Sequence, residues 1–375
     1  MTVGHEALFW KPLTGKRVGC VLCAQVCKLE DGEVGFCGAR RNVGGELRSV
    51  SYGRLVAEHV DPIEKKPLFH YRPGSRSFSI ATCGCNLRCD FCQNWSISQH
   101  REHGGDGCLE GEETPAERIV ERAVAASCAS ISYTYTEPTV FYEYCRDVGV
   151  RAREAGLGNV FVTNGMMLPD VVDDAAATFL DAANVDLKAF TKGFYEDVCQ
   201  GSLEGVKRGL ERLVERGVWV EVTTLVVPGR NDSDGELRAI AKYLASLSRD
   251  LPWHLSRFHP DFEADGIEET PVGRLVAGRQ IGVAEGLRHV YVGNARTGDG
   301  ETTRCASCGE VLIRRVGFTA EVVGLEGGVC GKCGEGLAGR GLGEGKKKPP
   351  MDTDEHSAAS GRNQSGPWPR SRVER

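Results

Sequence analysis

Short apolar runs separated by amphipathic stretches recur through the middle of this chain, and their spacing predicts alternating strands and helices. Ser77 to Thr82 reads as a short apolar-leaning strand. Ser130 to Thr136 is β-rich, Asn159 to Thr163 forms another strand, and Asn184 to Ala189 a further short one. Val218 to Val227 is nearly all apolar, as expected of a strand buried on both faces, and Pro228-Gly229 stops it. Trp253 to Phe258 and His289 to Val292 supply the last strands. Between these runs the period changes to that of helices. Thr114-Pro115-Ala116-Glu117 reads as a capping box with proline at the first helical position, ahead of a face made by Ile119, Val120, Ala123 and Val124. Leu203, Val206, Leu210 and Leu213 make a stripe that Gly217 ends. Ser233 and Glu236 form a second capping box before Leu237, Ile240, Leu244 and Leu247. Repeated strand–helix units imply parallel strands with right-handed crossovers. A doubly wound sheet and a full or partial barrel both satisfy that pattern. Polar residues gather just after the strands or at their ends, at Glu137, Asn164, Lys188 and His259. In parallel α/β folds that edge is where active sites form.

Cysteine placement adds chemistry to this outline. The 375 residues include 16 cysteines, most of them clustered, which reads as metal ligation in a reducing cytoplasm rather than as disulfides. Cys85, Cys89 and Cys92 stand at C-x3-C-x2-C spacing inside the run Gly84 to Trp95. Three thiolates can hold three irons of a [4Fe-4S] cube and leave the fourth iron without a protein ligand. Clusters normally take four cysteines, so a triplet points to an iron left open for a substrate or cofactor. Cys305-x2-Cys308 and Cys330-x2-Cys333 have the spacing of a zinc ribbon, with Gly309, Gly331 and Gly334 suited to the knuckle turns. Cys20-x2-Cys23-x3-Cys27-x9-Cys37 is a third set. Its closed ligand count favours zinc, and an auxiliary iron–sulfur cluster fits the same spacing. Cys83, Cys108, Cys128, Cys145 and Cys199 read as small packed hydrophobes.

These features divide the chain into a four-cysteine metal-binding module over residues 1–50, a linker over 51–74 and a catalytic core over 75–298. A zinc ribbon over 299–338 and a disordered Gly/Lys/Pro/Ser/Arg tail over 339–375 follow. A net charge of −6 and a pI near 5.9 give no footprint for nucleic acid. No apolar stretch reaches the roughly 20 residues that span a bilayer, and the start Met1-Thr2-Val3-Gly4-His5-Glu6 lacks the features of a signal peptide. Cytoplasmic location is the resulting expectation.

Beyond the triplet, several segments resemble one enzyme family. They are Cys92-Gln93-Asn94-Trp95-Ser96-Ile97-Ser98, Tyr133-Thr134-Tyr135-Thr136-Glu137-Pro138-Thr139, Val162-Thr163-Asn164-Gly165, Val185-Asp186-Leu187-Lys188, Ser256-Arg257-Phe258-His259-Pro260 and Tyr291-Val292-Gly293-Asn294. Together they resemble the radical S-adenosylmethionine (radical SAM) branch that includes pyruvate formate-lyase activating enzymes, and within it the AmmeMemoRadiSam system enzymes. The likeness spans about residues 8 to 338, both flanking cysteine sets included. It implies an α/β fold with a partial (β/α)6 barrel. It also implies a [4Fe-4S] cluster on Cys85, Cys89 and Cys92 whose open iron chelates SAM, and reductive cleavage to a 5′-deoxyadenosyl radical that abstracts hydrogen from a substrate. By the same resemblance Phe91 lies near the adenine and Glu137 holds the methionyl ammonium. Asp186 and Lys188 contact the ribose and methionyl carboxylate, His259 approaches the ribose, and Asn164 faces the cofactor. Tyr135-Thr136 departs from the superfamily's usual pattern, which has two glycines there. A reductant such as flavodoxin or ferredoxin is implied, as are Memo-like and AMME-syndrome-related partner proteins. Glycyl-radical installation on a partner protein is an alternative outcome, and a non-catalytic electron carrier or interaction module is the alternative from another class.

Overall fold

In the computed structural model, residues 4–99 and 107–343 are described. The apolar runs form one nine-stranded sheet. Its strands are β1 (Arg54–Pro62), β2 (Arg76–Thr82), β3 (Glu112–Glu113), β4 (Ser130–Tyr133), β5 (Gly158–Thr163), β6 (Ala182–Asp186), β7 (Trp219–Val226), β8 (Trp253–Arg257) and β9 (Val290–Gly293). The order across the sheet is β9-β8-β7-β6-β5-β4-β2-β1-β3. Across β2, β4, β5, β6, β7, β8 and β9 the pairings are parallel and each strand lies beside the next in that series. The order never reverses, so there is no doubly wound switch point. Helices α1 (Ala116–Ala125), α2 (Tyr142–Glu154), α3 (Pro169–Thr178), α4 (Leu203–Glu215), α5 (Asp234–Leu247) and α6 (Val272–Ala284) provide the crossovers. Six β/α units followed by β9 are the partial barrel that the motifs implied.

Burial follows the predicted stripes where the apolar period is clean. α4 buries Leu203, Val206, Leu210 and Leu213, and α5 buries Leu237, Ile240 and Leu244. Ser233 caps α5 by accepting from Glu236 N at 3.2 Å. Glu236 does not complete the box, because its carboxylate accepts instead from Phe190 N. The box expected at Thr114 is absent: Pro115 is the N-cap and the Thr114 hydroxyl donates to Glu112 O. Val124, assigned to the buried face of α1, is half exposed.

Two segments differ from the sequence reading. Residues 51–74, expected as a linker, contain β1, which pairs antiparallel with β2 along its length. Its buried and exposed positions do not alternate cleanly, which hides the strand signal. The tail expected from residue 339 starts later, since Arg340 N donates to His70 O and Arg72 N donates to Arg340 O, both at 2.8 Å. The rest of that expected tail, from 344 onward, lies outside the described residues.

The two small modules dock on the core through buried arginines. Ahead of β1, two three-stranded antiparallel sheets carry the first cysteine set. Arg40 pairs with Glu143 of α2, and Glu143 Oε1 also accepts from Leu8 N at 2.7 Å. After β9, the strands Thr303–Arg304, Val311–Val316 and Thr319–Val322 form a third small sheet. Its Arg315 stacks 4.1 Å from the Phe69 ring centre and donates to Phe69 O. Among the described residues no helix is long and apolar enough to cross a membrane.

Candidate active site

A cavity of about 850 Å³ opens along the C-terminal ends of the parallel strands. Cys85, Cys89 and Cys92 line it, together with Phe91, Glu137, Asn164, Asp186, Lys188 and His259. The fold therefore brings every core residue singled out from the sequence to one enclosure. The thiols sit in the loop after β2, where Leu87 N donates to Cys85 Sγ at 3.4 Å and Ser98 Oγ lies 3.1 Å from Cys92 Sγ. Burial, with the charge of Glu137 nearby, pushes the Cys85 thiol well above its ordinary pKa. The Cys89 thiol rises too, through a hydrogen bond with Cys199 and burial. Cys199, expected as an isolated packed residue, thus lies against Cys89, but it is fully buried and does not line the cavity.

Glu137 ends the strand-to-helix connection after β4. Its Oε1 accepts from Thr139 N at 3.0 Å, from the Thr139 hydroxyl, and from the Thr163 hydroxyl at 2.7 Å. Among the described residues Oε2 accepts from Asn164 N alone, at 2.8 Å. One oxygen is saturated and the other keeps acceptor capacity. Burial raises the pKa of the carboxyl, and those donors act against the rise. Asn164 Nδ2 donates to Asn86 Oδ1 at 2.6 Å and lies 3.8 Å from Cys85 Sγ. The departure at Tyr135 is conformationally faithful: its φ is +66°, the left-handed region that glycine adopts without cost.

Tyr135 is held in that conformation by partners the sequence reading missed. Its hydroxyl donates to Asp61, and its ring lies 4.4 Å below Lys66 Nζ. Lys66 Nζ donates to Asp61 Oδ2 at 2.6 Å. Burial brings the Lys66 pKa down to about 8 against the pull of Asp61. Burial alone would raise the Asp61 carboxyl, and the Lys66 ammonium holds it well below the usual range. Lys66 and Tyr135 line the cavity, while Asp61 and Lys66 come from β1 and the turn after it, a segment with no sequence signal for function.

On the opposite strands, Lys188 Nζ donates to Asp186 Oδ2 at 3.0 Å and stands 5.9 Å from the Phe91 ring centre. Burial works against the Lys188 ammonium, and Asp186 outweighs it, so the pKa lies well above the usual lysine value. His259 is exposed at the rim, 3.1 Å from Gln93 Nε2. His254 belongs to a different network at the cavity wall, where its Nε2 is 2.7 Å from Glu221 Oε2. Phe318, at the tip of the C-terminal hairpin, also reaches the lining although half exposed.

Ten of the remaining cysteines fall into three arrangements, and Cys128 and Cys145 stand apart from them. Among the described residues, Cys305, Cys308, Cys330 and Cys333 form the one group of three or more His, Cys or carboxylate side chains whose donor atoms all lie within 4.8 Å. Cys305 and Cys333 sulfurs are 3.5 Å apart, Cys308 and Cys330 3.7 Å. Partial burial would raise the Cys305 thiol, yet the backbone N–H groups of Cys308 and Ser307 hold it down to about 7. Gly309 and Gly334 both have positive φ and donate back to Cys305 O and Cys330 O, so the two knuckles match. Cys83 and Cys108 share a hydrogen bond behind the triplet loop. Cys20, Cys23, Cys27 and Cys37 come together in the N-terminal module.

The chain is similar to known proteins over much of its length. The profile of the Radical SAM superfamily matches residues 79–244, from within β2 through the triplet to α5. An uncharacterized protein of Methanocaldococcus jannaschii is 43% identical over 334 residues, covering 88% of this chain and 98% of that protein. The benzylsuccinate synthase activating enzyme of Thauera aromatica is 24% identical over 260 residues, 64% of this chain and 76% of that enzyme. A radical SAM methyltransferase from Sphaerobacter thermophilus superposes with a TM-score of 0.47 at 20% identity, over 64% of this chain and 71% of that one. The chain belongs to the radical SAM superfamily, whose members are enzymes, and has activating enzymes among its relatives.

Proposed function

We propose that this enzyme holds a [4Fe-4S] cluster on Cys85, Cys89 and Cys92, cleaves SAM reductively, and abstracts hydrogen from a substrate in the same cavity. The observation that carries this reading is Glu137, a buried carboxylate with one saturated oxygen and one that retains acceptor capacity beside the triplet. The donor set fits the cofactors: three thiols from one loop, a carboxylate for an ammonium group and an ammonium for a carboxylate. Bound there, the cluster would supply the one electron that reductive cleavage of SAM to methionine and a 5′-deoxyadenosyl radical requires.

The protein's own part is positioning and exclusion of water. Glu137 Oε2 accepts from the methionyl ammonium, and Asn164 keeps that oxygen aimed by donating from its backbone. Lys188, kept charged by Asp186, meets the methionyl carboxylate, while Asp186 retains its second oxygen for a ribose hydroxyl. Phe91 and the Gln93–His259 pair cover the nucleoside side. Across the cavity, Lys66, Tyr135 and Phe318 face the space left for the substrate. The C-terminal four-cysteine knuckles hold zinc in a closed structural site, since their sulfur spacing is that of one tetrahedral ion.

Likeness to the benzylsuccinate synthase activating enzyme favours a second reading, in which the substrate is a glycine of a partner protein. The motif resemblance to AmmeMemoRadiSam enzymes supports Memo-like and AMME-syndrome-related partners instead. A flavodoxin- or ferredoxin-type reductant serves either case. Anaerobically reconstituted protein given dithionite and SAM should release 5′-deoxyadenosine and methionine in equal amounts, and Cys89→Ser should abolish both. Fully cluster-loaded protein that yields neither product would overturn the proposal.

A further inference from the structure

The N-terminal cysteines press on the triplet loop at two points. Gly84, with φ +107°, lies so close to Cys37 that a Cβ there would stand 2.5 Å from Cys37 O. The Cys23 loop pairs with Met167, and Gln25 Nε2 donates to Asn86 O at 2.9 Å and to Gln200 O at 2.8 Å. Cys20 and Cys37 lie near Cys23, and Cys20 and Cys27 lie near Cys37. None of the four lines the active-site cavity, and Cys27 and Cys37 are partly exposed.

Two observations identify the occupant. Asn86 is fully buried, and its Nδ2 has no hydrogen-bond partner. It stands beside the Cys23 thiol. Such a donor suits the sulfur of a bound metal centre. The second observation is spacing. Thiolates on one zinc ion, with bonds of about 2.3 Å, lie about 3.8 Å apart, and the C-terminal set is contracted to that scale. The N-terminal set is not contracted in this way, and neither are Cys85, Cys89 and Cys92. Thiolates of an iron–sulfur cube stand further apart, because each binds a different iron.

We propose that Cys20, Cys23, Cys27 and Cys37 hold a second [4Fe-4S] cluster, and that its Cys23 corner reaches the active site through Asn86 and Asn164. This reverses the preference for zinc drawn from ligand count alone. Asn86 Oδ1 accepts from Asn164 Nδ2 at 2.6 Å, and the same Nδ2 is 3.8 Å from Cys85 Sγ. Four thiolates leave no open iron, and the site stands apart from the substrate cavity, so its role is electron entry. A low-potential protein donor reduces this cluster by one electron, and passing that electron to the active-site cluster returns it to its oxidised state.

Metal analysis with Mössbauer spectroscopy on anaerobically reconstituted full-length protein tests the assignment. Wild type should hold about eight irons and about one zinc per chain, all the iron in [4Fe-4S] form. A Cys85→Ala/Cys89→Ala/Cys92→Ala variant should keep half of that iron, with a cluster spectrum, and should not respond to SAM. Wild type with about four irons and about two zincs, or a folded triple variant with no iron, would overturn it. If the triple variant does not fold, the wild-type stoichiometry decides the matter by itself.

Discussion

Exchanging Glu137 for glutamine keeps its shape and removes one charge, and the hydrogen bonds around it fix what must follow. The glutamine amide cannot occupy the Oε1 position, where three donors converge from Thr139 and Thr163. It must take the Oε2 position, donor against donor with Asn164 N–H, on the oxygen proposed for the SAM ammonium. One charge-assisted hydrogen bond is lost, worth about 1.5–3 kcal/mol, which weakens SAM binding about 10- to 150-fold. Fold stability should change little, because relief from burying a charge offsets the lost Asn164 contact. The assay is equilibrium binding to anaerobic, cluster-loaded protein, with SAM and with 5′-methylthioadenosine, which lacks the methionyl amino and carboxylate groups. SAM affinity should fall while the thioadenosine affinity holds. Equal weakening of both ligands, or SAM affinity within twofold of wild type, would refute the assignment.

Lys66→Met should destabilise the fold toward the low end of the roughly 3–5 kcal/mol typical of a broken buried ion pair, because Lys65 still reaches Asp61 Oδ1 at 2.9 Å. An unchanged urea midpoint would show that Tyr135 needs no such support. Acid should destabilise the chain earlier than its carboxylates alone require. Burial holds His70 down to about 3 and His289 to about 4, so between these values and about 6.5 the unfolded chain binds more protons and stability falls with falling pH. With both histidines titrating, the slope approaches about 3 kcal/mol per pH unit. Glu221, held down to about 2 against the opposing effect of burial, loses its contribution in the same direction below its ordinary 4.5. A stability profile flat from pH 5 to 7 would contradict this. Cys330→Ser should strip the C-terminal metal and lower the melting temperature without changing cluster iron; loss of iron in parallel would show that the C-terminal site does not hold its metal independently.

How much of this was legible in the sequence depended on whether burial and period agreed. β7 buries nearly every residue, and its nearly all-apolar run, interrupted by Glu221 and two threonines, gave its bounds to within a residue. α4 has one apolar stripe and was equally plain. α2 was invisible because its inward face carries Glu143, turned in to meet Arg40 of a distant segment. α6 was hidden by Gly278 and Gly282. A Cβ on either would meet β8 or β9 side chains at about 3 Å, so the close helix–sheet approach cost the helix its apolar pattern. The thiols and strand-end polar residues were readable because ligand spacing and strand ends are local features. Asp61, Lys66 and Tyr135 are separated by up to 74 positions and meet only when β1 joins the sheet. Asn86 stood inside the triplet in plain view, but its role lies in contacts to Asn164 and Cys23 that spacing does not encode.

The central claim is that one iron of the active-site cluster faces Glu137, Asn164 and Lys188 and accepts SAM. Electron paramagnetic resonance of the dithionite-reduced protein, recorded with and without SAM, tests it most directly. The account predicts that SAM shifts the [4Fe-4S]⁺ signal contributed by Cys85, Cys89 and Cys92, and that the shift disappears in the triple alanine variant. A signal unchanged by saturating SAM would mean that no iron in this cavity is open, and would contradict the account.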